Sequence, residues 1–128
     1  MLETGIQGRA EIVVNEQNTA ASMGSGNLQV FATPWMIALM EEASQRSVAP
    51  FLEEGQSTVG TRLCVSHDAA TPLGMKVWAE SLLTEIDGRR LVFEVRAFDE
   101  CGPIGQGTHE RFIIRQQRFL EKVEAKKA

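Results

Sequence analysis

The chain has 128 residues, of which 43% are hydrophobic and 23% are charged, with a net charge of -4. These values are typical of one globular domain, and we expect residues 1–128 to fold around a single core. The acidic balance leaves no basic patch for a phosphate backbone, so nucleic acid is not expected as a partner. A local positive pocket for one phosphorylated ligand remains compatible with this composition.

The two cysteines, Cys64 and Cys101, have neither CxxC spacing nor flanking histidines, so we expect no structural metal site and no cofactor. Unpaired cysteines fit a reducing compartment. No apolar run approaches the roughly 18–20 residues that cross a bilayer, and the N-terminal residues lack a signal-peptide pattern. We therefore expect a cytoplasmic protein that does not bind membranes.

The first half of the chain predicts a strand, a loop and a long helix. "GRAEIVVNEQ" is strand-like, and the Gly-rich "NTAASMGSGNLQ" predicts a loop or a short helical turn. Thr33 followed by Pro34 predicts a helix start with Thr33 as the N-cap, and Pro50 ends the helix at about Ala49. One helical stripe is formed by Met36, Leu39, Met40, Ala43 and Ser47.

The second half predicts four long strands: "TVGTRLCVSH", "MKVWAESLLTEI", "RRLVFEVRAFD" and "IGQGTHERFIIR". Asp87-Gly88 is a hairpin signal, and "QQRFLEKVEAKKA" predicts a short C-terminal helix. Consecutive hairpin strands with one apolar helix indicate an α+β fold, in which a curved antiparallel sheet wraps the helix. Because long sheet edges are usually covered or paired, we expect a homodimer that continues the sheet.

In the strand "TVGTRLCVSH", strict alternation puts Gly60 and Cys64 on one face and Leu63, Val65 and His67 on the other. A glycine inside a strand marks either a bulge or a close approach of a ligand to the backbone, and both interpretations of Gly60 stay open.

Three side chains are candidates for chemistry, each with an ordinary structural alternative. Thr33 is most simply a helix cap, although a helix N-terminus can also stabilise an oxyanion. Glu41 and Glu42 are by default a solvated pair; Glu41 has the more apolar neighbours, but the helical wheel does not decide between them. His67 ends a strand and is equally compatible with structure or catalysis, whereas His109 in "GTHER" favours a structural or hydrogen-bonding role.

The sequence contains no P-loop, GxGxxG, GxSxG or metal-ligand motif. The residues are compatible with a Thr/Glu/His site of hydrolytic type, but the pattern by itself has weak specificity. The segments "FATPWMIALMEEA", "VGTRLCVSHDAATPLG", "DGRRLVFEVRAFD" and "IGQGTHERFII" then resemble the hotdog-fold thioesterases of the fluoroacetyl-CoA thioesterase type, over about residues 30–119. The resemblance implies a hotdog fold, a dimer or tetramer with active sites near the subunit interface, and hydrolysis of an acyl-CoA.

The resemblance also implies the site residues. Thr33, Glu41 and His67 match the family's catalytic threonine, glutamate and histidine, and Gly60 matches its active-site glycine. The family's aromatic lid segment is not matched: "SMGSGNLQVFAT" carries only Phe31, which we take as a substrate-binding residue. Because of this departure the sequence leaves fluoroacetyl specificity open, and we expect a small or medium acyl group.

Two alternatives stay open. An enoyl-CoA hydratase on the same fold would place its acid and histidine in a different helix motif, which is not seen here. A non-catalytic acyl-CoA-binding module would have the pocket without Thr33, Glu41 and His67 together.

Overall fold

A computed structural model describes residues 1–127 of the chain. It contains five strands and three α-helices, with two short 3-10 turns, Ala49–Phe51 after the second helix and Ala125–Lys127 after the third. The strands are β1 (Gln7–Val13), β2 (Gln56–His67), β3 (Lys76–Asp87), β4 (Arg90–Asp99) and β5 (Gly102–Arg115). The helices are α1 (Ala20–Met23), α2 (Thr33–Val48) and α3 (Gln116–Glu124). None of these helices has the length and apolar character needed to span a bilayer.

All strands belong to one antiparallel sheet with the order β1-β3-β4-β5-β2, so β1 and β2 form its two edges. Helix α2 packs against β1, β3 and β4. The largest fully buried side chains come from both layers and include Phe31, Met36, Met40, Leu91 and Phe93. The predicted α+β arrangement of a curved antiparallel sheet around one long helix is confirmed.

The start of α2 differs from the prediction. The N-cap is Ala32, which has extended backbone angles (φ -77°, ψ 137°) and makes no side-chain capping bond. Thr33 is the first helical residue and Pro34 the second, so the assignment of Thr33 as N-cap was wrong. The fixed φ of proline suits any position in the first turn, so the Thr-Pro pair does not fix the cap to one residue.

Strand β2 is irregular where Gly60 occurs. The register against β5 shifts between Gly60 and Arg62: Gly60 pairs with Arg111 and Arg62 with Glu110. Thr61 is therefore the extra residue of a β-bulge, which confirms the bulge interpretation of Gly60. One extra residue reverses the alternation, so Gly60 faces the same side of the sheet as His67, and the prediction of opposite faces was wrong.

Candidate active site

Thr33 and His67 meet at the N-terminus of α2. Thr33 Oγ1 lies 2.7 Å from His67 Nδ1, within hydrogen-bond distance. The backbone joins the same two segments, because the Phe31 N–H donates to the Thr71 carbonyl over 2.9 Å. The Thr71 hydroxyl in turn donates to the buried Asp99 carboxylate over 2.7 Å, which anchors the turn that follows His67. The fold thus fixes the end of β2 against the start of α2.

The environment of His67 favours the neutral imidazole. Burial lowers the pKa of His67, and the negative charge of Asp68 and the backbone of Ala69 offset this only in part. His67 Nε2 is buried, and within residues 1–127 it has no hydrogen-bond partner. With Nδ1 at hydrogen-bond distance from the Thr33 hydroxyl, Nε2 is the ring nitrogen without a partner in the described part of the chain.

A cavity of about 240 Å³ opens beside this pair. Most of its lining side chains are small, and the residues are Ala20, Ser25, Val30, Phe31, Thr33, His67, Asp68, Ala69 and Ala70. Phe31 is only 1% exposed and belongs to the hydrophobic core, so it forms a wall of the cavity rather than a projecting lid. Two apolar residues of the same chain segment are exposed: Met23, the last residue of α1, and Leu28, which follows it.

The structure distinguishes the two adjacent glutamates of α2. Glu42 points towards solvent, where its Oε2 lies 3.2 Å from Arg46 Nη1, one helical turn away. Glu41 points towards the sheet, and its half-exposed carboxylate lies 3.9 Å from Nη1 of the buried Arg111. The bulged Gly60 lies against the same carboxylate: a Cβ built on Gly60 would be 2.9 Å from Glu41 Oε2. The absence of a side chain at Gly60 therefore leaves room for Glu41.

Arg111 was not singled out from the sequence, although it forms part of this cluster. Its Nε donates to the Thr58 hydroxyl over 2.8 Å and its Nη2 to the Thr58 carbonyl over 2.9 Å. His109 Nε2 lies 3.2 Å from Arg111 Nη1, while His109 Nδ1 lies 2.9 Å from the Arg62 carbonyl. The only sequence signal was alternation: Arg111 occupies an inward position of β5, where an arginine is unusual.

His109 is buried, at 1% exposure, and it makes hydrogen bonds of the kind expected for it. Burial lowers the pKa of His109, and the positive charge of Arg111 lowers it further. Nδ1 faces a carbonyl, so the neutral ring carries its proton there and accepts the Arg111 N–H at Nε2. His109 thereby orients Arg111 towards Glu41.

The predicted site residues therefore fall into two groups within one chain. Thr33 and His67 form the first, and Glu41 and Gly60, with Arg111, form the second. Glu41 is eight residues after Thr33 on α2, which corresponds to about 12 Å along the helix axis. Gly60 and His67 are separated by most of β2, roughly 20 Å of strand. A hydrogen bond between Glu41 and Thr33 or His67 is not among the contacts of residues 1–127.

Comparisons with known proteins identify the fold and the family. Residues 14–117 match the model of the family described as fluoroacetyl-CoA-specific thioesterase. The chain belongs to this family. The fluoroacetyl-CoA thioesterase of Streptantibioticus cattleyicolor is 47% identical over 98 residues, which cover 77% of this chain and 70% of that protein.

Solved structures of this enzyme have the same fold. One fluoroacetyl-CoA-specific thioesterase structure superposes with a TM-score of 0.91 at 38% identity and covers 98% of both chains. A mutant in complex with fluoroacetate and CoA gives a TM-score of 0.86 at 38% identity, covering 92% of this chain and 99% of that one. The expected hotdog-fold acyl-CoA thioesterase is confirmed, and the comparisons give no support to a hydratase or a non-catalytic module.

Proposed function

We propose that the protein hydrolyses a small or medium acyl-CoA to the free acid and CoA, at a site that two copies of the chain complete together. The observation that carries this proposal is the Thr33–His67 hydrogen bond beside the small-residue cavity. A thioester carbonyl placed there would have a neutral imidazole N–H within reach of its leaving sulfur. This reaction is the one that the fluoroacetyl-CoA thioesterases carry out on their own substrate.

Acyl size is inferred from the cavity walls. The segment from residue 20 to residue 30 carries no aromatic side chain, and Ala20, Ser25 and Val30 are the members that reach the cavity. The side chains of Ala20 and Val30 attract a short hydrocarbon chain by burial of its methylene groups.

Strand β2 supports a two-chain site. It is a twelve-residue edge strand that pairs with β5 on one side only, and such edges are normally covered by another strand. Antiparallel pairing of two β2 strands about a two-fold axis near Leu63 would place Gly60 of one copy opposite His67 of the other. Because the bulge puts Gly60 and His67 on the same side of the sheet, this register unites Glu41 with Thr33 and His67 of a second copy.

The proposed reaction gives each group one role. Glu41 accepts a proton from water as the water attacks the thioester carbon, or it attacks that carbon itself. The developing oxyanion is stabilised by the Gly60 N–H and by the positive charge of Arg111. The C–S bond then breaks, and the CoA thiolate leaves with a hydrogen bond from His67 Nε2–H. Thr33 holds the imidazole in the orientation that this bond requires.

The first experiment measures thiol release from a panel of acyl-CoAs, from acetyl and fluoroacetyl to medium, branched and aryl chains. The wild type is compared with Glu41→Gln and His67→Ala. Hydrolysis that is lost in both variants supports the proposal and identifies the acyl class. A folded wild type that binds acyl-CoA but releases no thiol from any member of the panel contradicts it.

The two-chain site is tested by mixing inactive variants in one refolding reaction. Glu41→Gln and His67→Ala carry their defects in different halves, so each mixed dimer regains one intact site, and about a quarter of wild-type activity is expected. Thr33→Val mixed with His67→Ala is the control: both defects lie in the same half, so mixing should add nothing to the activity that Thr33→Val retains by itself. Equal, low activity in both mixtures would show that each site lies within one chain.

Water attack and direct attack by Glu41 are separated by a single turnover in heavy-oxygen water. Label in the Glu41 carboxylate indicates direct attack through an acyl-enzyme anhydride. Label confined to the product acid, together with no acyl-enzyme that a nucleophile can trap, indicates an attacking water.

A further inference from the structure

A second cavity, of about 280 Å³, lies where α3 follows the end of β5. We call it the basic cavity, because four of its eight lining residues are cationic. The lining residues are Gln56, Arg89, Ile113, Ile114, Arg115, Arg118, Phe119 and Lys122. It therefore combines a concentration of positive charge with an apolar floor that includes one aromatic ring.

These cations are poorly compensated within an acidic protein. Arg115 has one ionic contact, a 4.0 Å approach to Glu53, and both side chains are mostly exposed. Within residues 1–127 no carboxylate lies within 4.0 Å of Arg89, Arg118 or Lys122. Positive charge is thus gathered at one place although the whole chain carries a net charge of -4.

The position of these charges on α3 is itself unfavourable. Arg118 lies in the first turn of the helix, which contains no acidic residue, so its charge meets the positive end of the helix dipole. Lys122 lies one turn further along the same face, and like charges at this spacing repel each other. A bound polyanion would remove both penalties, because its negative charge would lie beside Arg118, Lys122 and the positive end of the helix dipole.

The basic cavity lies further along β5 than the Glu41 cluster, at the end of the strand. Arg111, Ile113 and Arg115 are alternate residues of β5 and so share one side of it, and Ile113 and Arg115 line the cavity together with Ile114 from the other side. Arg111 contacts Glu41, and Arg115 lines the basic cavity, so the two places are about 13 Å apart along the strand. An extended pantetheine arm separates a thioester from the phosphates of CoA by a comparable length.

We propose that the basic cavity binds the nucleotide end of CoA, with the phosphates on Arg89, Arg115, Arg118 and Lys122. The adenine packs against Phe119 and Ile113. Guanidinium groups bind phosphate oxygens through paired N–H donors, and an aromatic ring offers a stacking face to the base. This inference rests on the proposed thioesterase function, and it names the part of the chain that recognises the CoA moiety.

The test uses the double variant Arg118→Gln/Lys122→Gln and two thioesters of the same acyl group. One thioester is the acyl-CoA, and the other is the acyl-N-acetylcysteamine, which lacks the nucleotide. For acyl-CoA we expect KM to rise roughly 10- to 100-fold with kcat nearly unchanged, because the phosphates lose two cationic partners whose attraction the solvent partly screens. For the short thioester both constants should equal those of the wild type.

The control variant is Lys126→Gln/Lys127→Gln, which removes the same charge from a turn that does not line the basic cavity. Its KM for acyl-CoA should stay near the wild-type value. An unchanged KM in Arg118→Gln/Lys122→Gln, or an equal rise with both thioesters, overturns the inference while leaving the thioesterase function in place.

Direct binding separates this inference from the proposed function. By calorimetry, free CoA should bind the wild type more tightly than dephospho-CoA, and the double variant should lose most of that difference. This measurement needs no turnover. The inference is overturned if the wild type binds CoA and dephospho-CoA with equal affinity and the double variant binds CoA as tightly as the wild type does. This outcome is decisive even if the protein hydrolyses no thioester.

Discussion

Thr33 Oγ1 lies 2.7 Å from Nδ1 of His67, although the two residues are 34 positions apart in the chain. The contact exists because the segment before α2 is hydrogen-bonded to the turn after β2, through the Phe31 N–H and the Thr71 carbonyl. A helix start and a strand end thereby share one hydrogen bond at the wall of a cavity. The imidazole is held at Nδ1, whereas Nε2 has no hydrogen-bond partner among residues 1–127.

Replacement of Thr33 tests whether this bond orients the imidazole. Thr33→Val keeps the shape of the side chain and removes the hydroxyl, so kcat should fall about tenfold, the effect expected for one neutral hydrogen bond. Thr33→Ser restores the hydroxyl and should recover most of the rate. A loss in Thr33→Ser as large as that in Thr33→Val, measured as thiol release, would show that the hydroxyl alone does not support the rate.

Asp68 should set the acid limb of the rate profile. The activity should decline as the pH falls below the usual histidine range, because a protonated His67 can no longer accept the Thr33 hydroxyl at Nδ1. The charge of Asp68 raises the pKa of His67 against the larger lowering by burial. Asp68→Asn should therefore move the acid limb of kcat/KM to lower pH. If the acid limb of kcat/KM lies at the same pH in Asp68→Asn as in the wild type, the limb reports the titration of another group.

His109 should contribute to the pH dependence of stability. Burial and Arg111 lower the pKa of His109, and burial lowers that of His67, from the ordinary value of 6.5. Below pH 6.5 the unfolded chain binds more protons than the folded chain. The free energy of unfolding should therefore decrease as the pH is lowered below 6.5, and it should be constant above pH 6.5. Urea unfolding at several pH values measures this. His109→Gln should show a shallower decline than the wild type, whereas an identical slope would exclude His109.

Most of the fold was predictable because its signals are local. Period-two alternation, the Asp87-Gly88 turn and the apolar stripe of α2 depend only on neighbouring residues, and the strands formed within a few residues of the predicted positions. The cap of α2 was mispredicted because proline suits more than one position of a first turn. The side chain of Thr33 bonds to His67, a contact that no local pattern encodes.

The candidate site was less predictable, because it depends on pairing between distant strands. Alternation put Gly60 and His67 on opposite faces, and only the register against β5 reveals the bulge that reverses this. Arg111 escaped notice since its partner Thr58 lies 53 positions away. The choice of Glu41 over Glu42 came from resemblance, and the structure supplies its physical reason: Glu41 faces Gly60 and Arg111, whereas Glu42 faces solvent and Arg46.

The two glutamates of α2 form a matched pair for mutation. Glu41→Gln removes the charge that faces the bulge and should reduce kcat roughly 10²- to 10⁴-fold, the usual contribution of a general base. Glu42→Gln removes a solvent-exposed ion pair with Arg46 and should change neither kcat nor stability measurably. Both variants carry the same change in net charge. Comparable kcat values in the two variants, by thiol release, would remove Glu41 from the site.

Gly60 of β2 provides the last test, and Gly107 of the paired strand β5 serves as its comparison. A methyl group added at these two glycines would contact different kinds of atoms. At Gly60 the new Cβ would lie 2.9 Å from Glu41 Oε2 and 3.2 Å from His109 Cε1, so the flexible carboxylate must move. Gly60→Ala should therefore lower kcat strongly while the melting temperature changes little. At Gly107 the methyl group would meet the Cys64 carbonyl and the Val65 backbone, which cannot move without disturbing the β2–β5 ladder. Gly107→Ala should therefore lower the melting temperature more than Gly60→Ala does. A Gly60→Ala enzyme with the kcat of the wild type would show that Glu41 needs no free space beside the bulge.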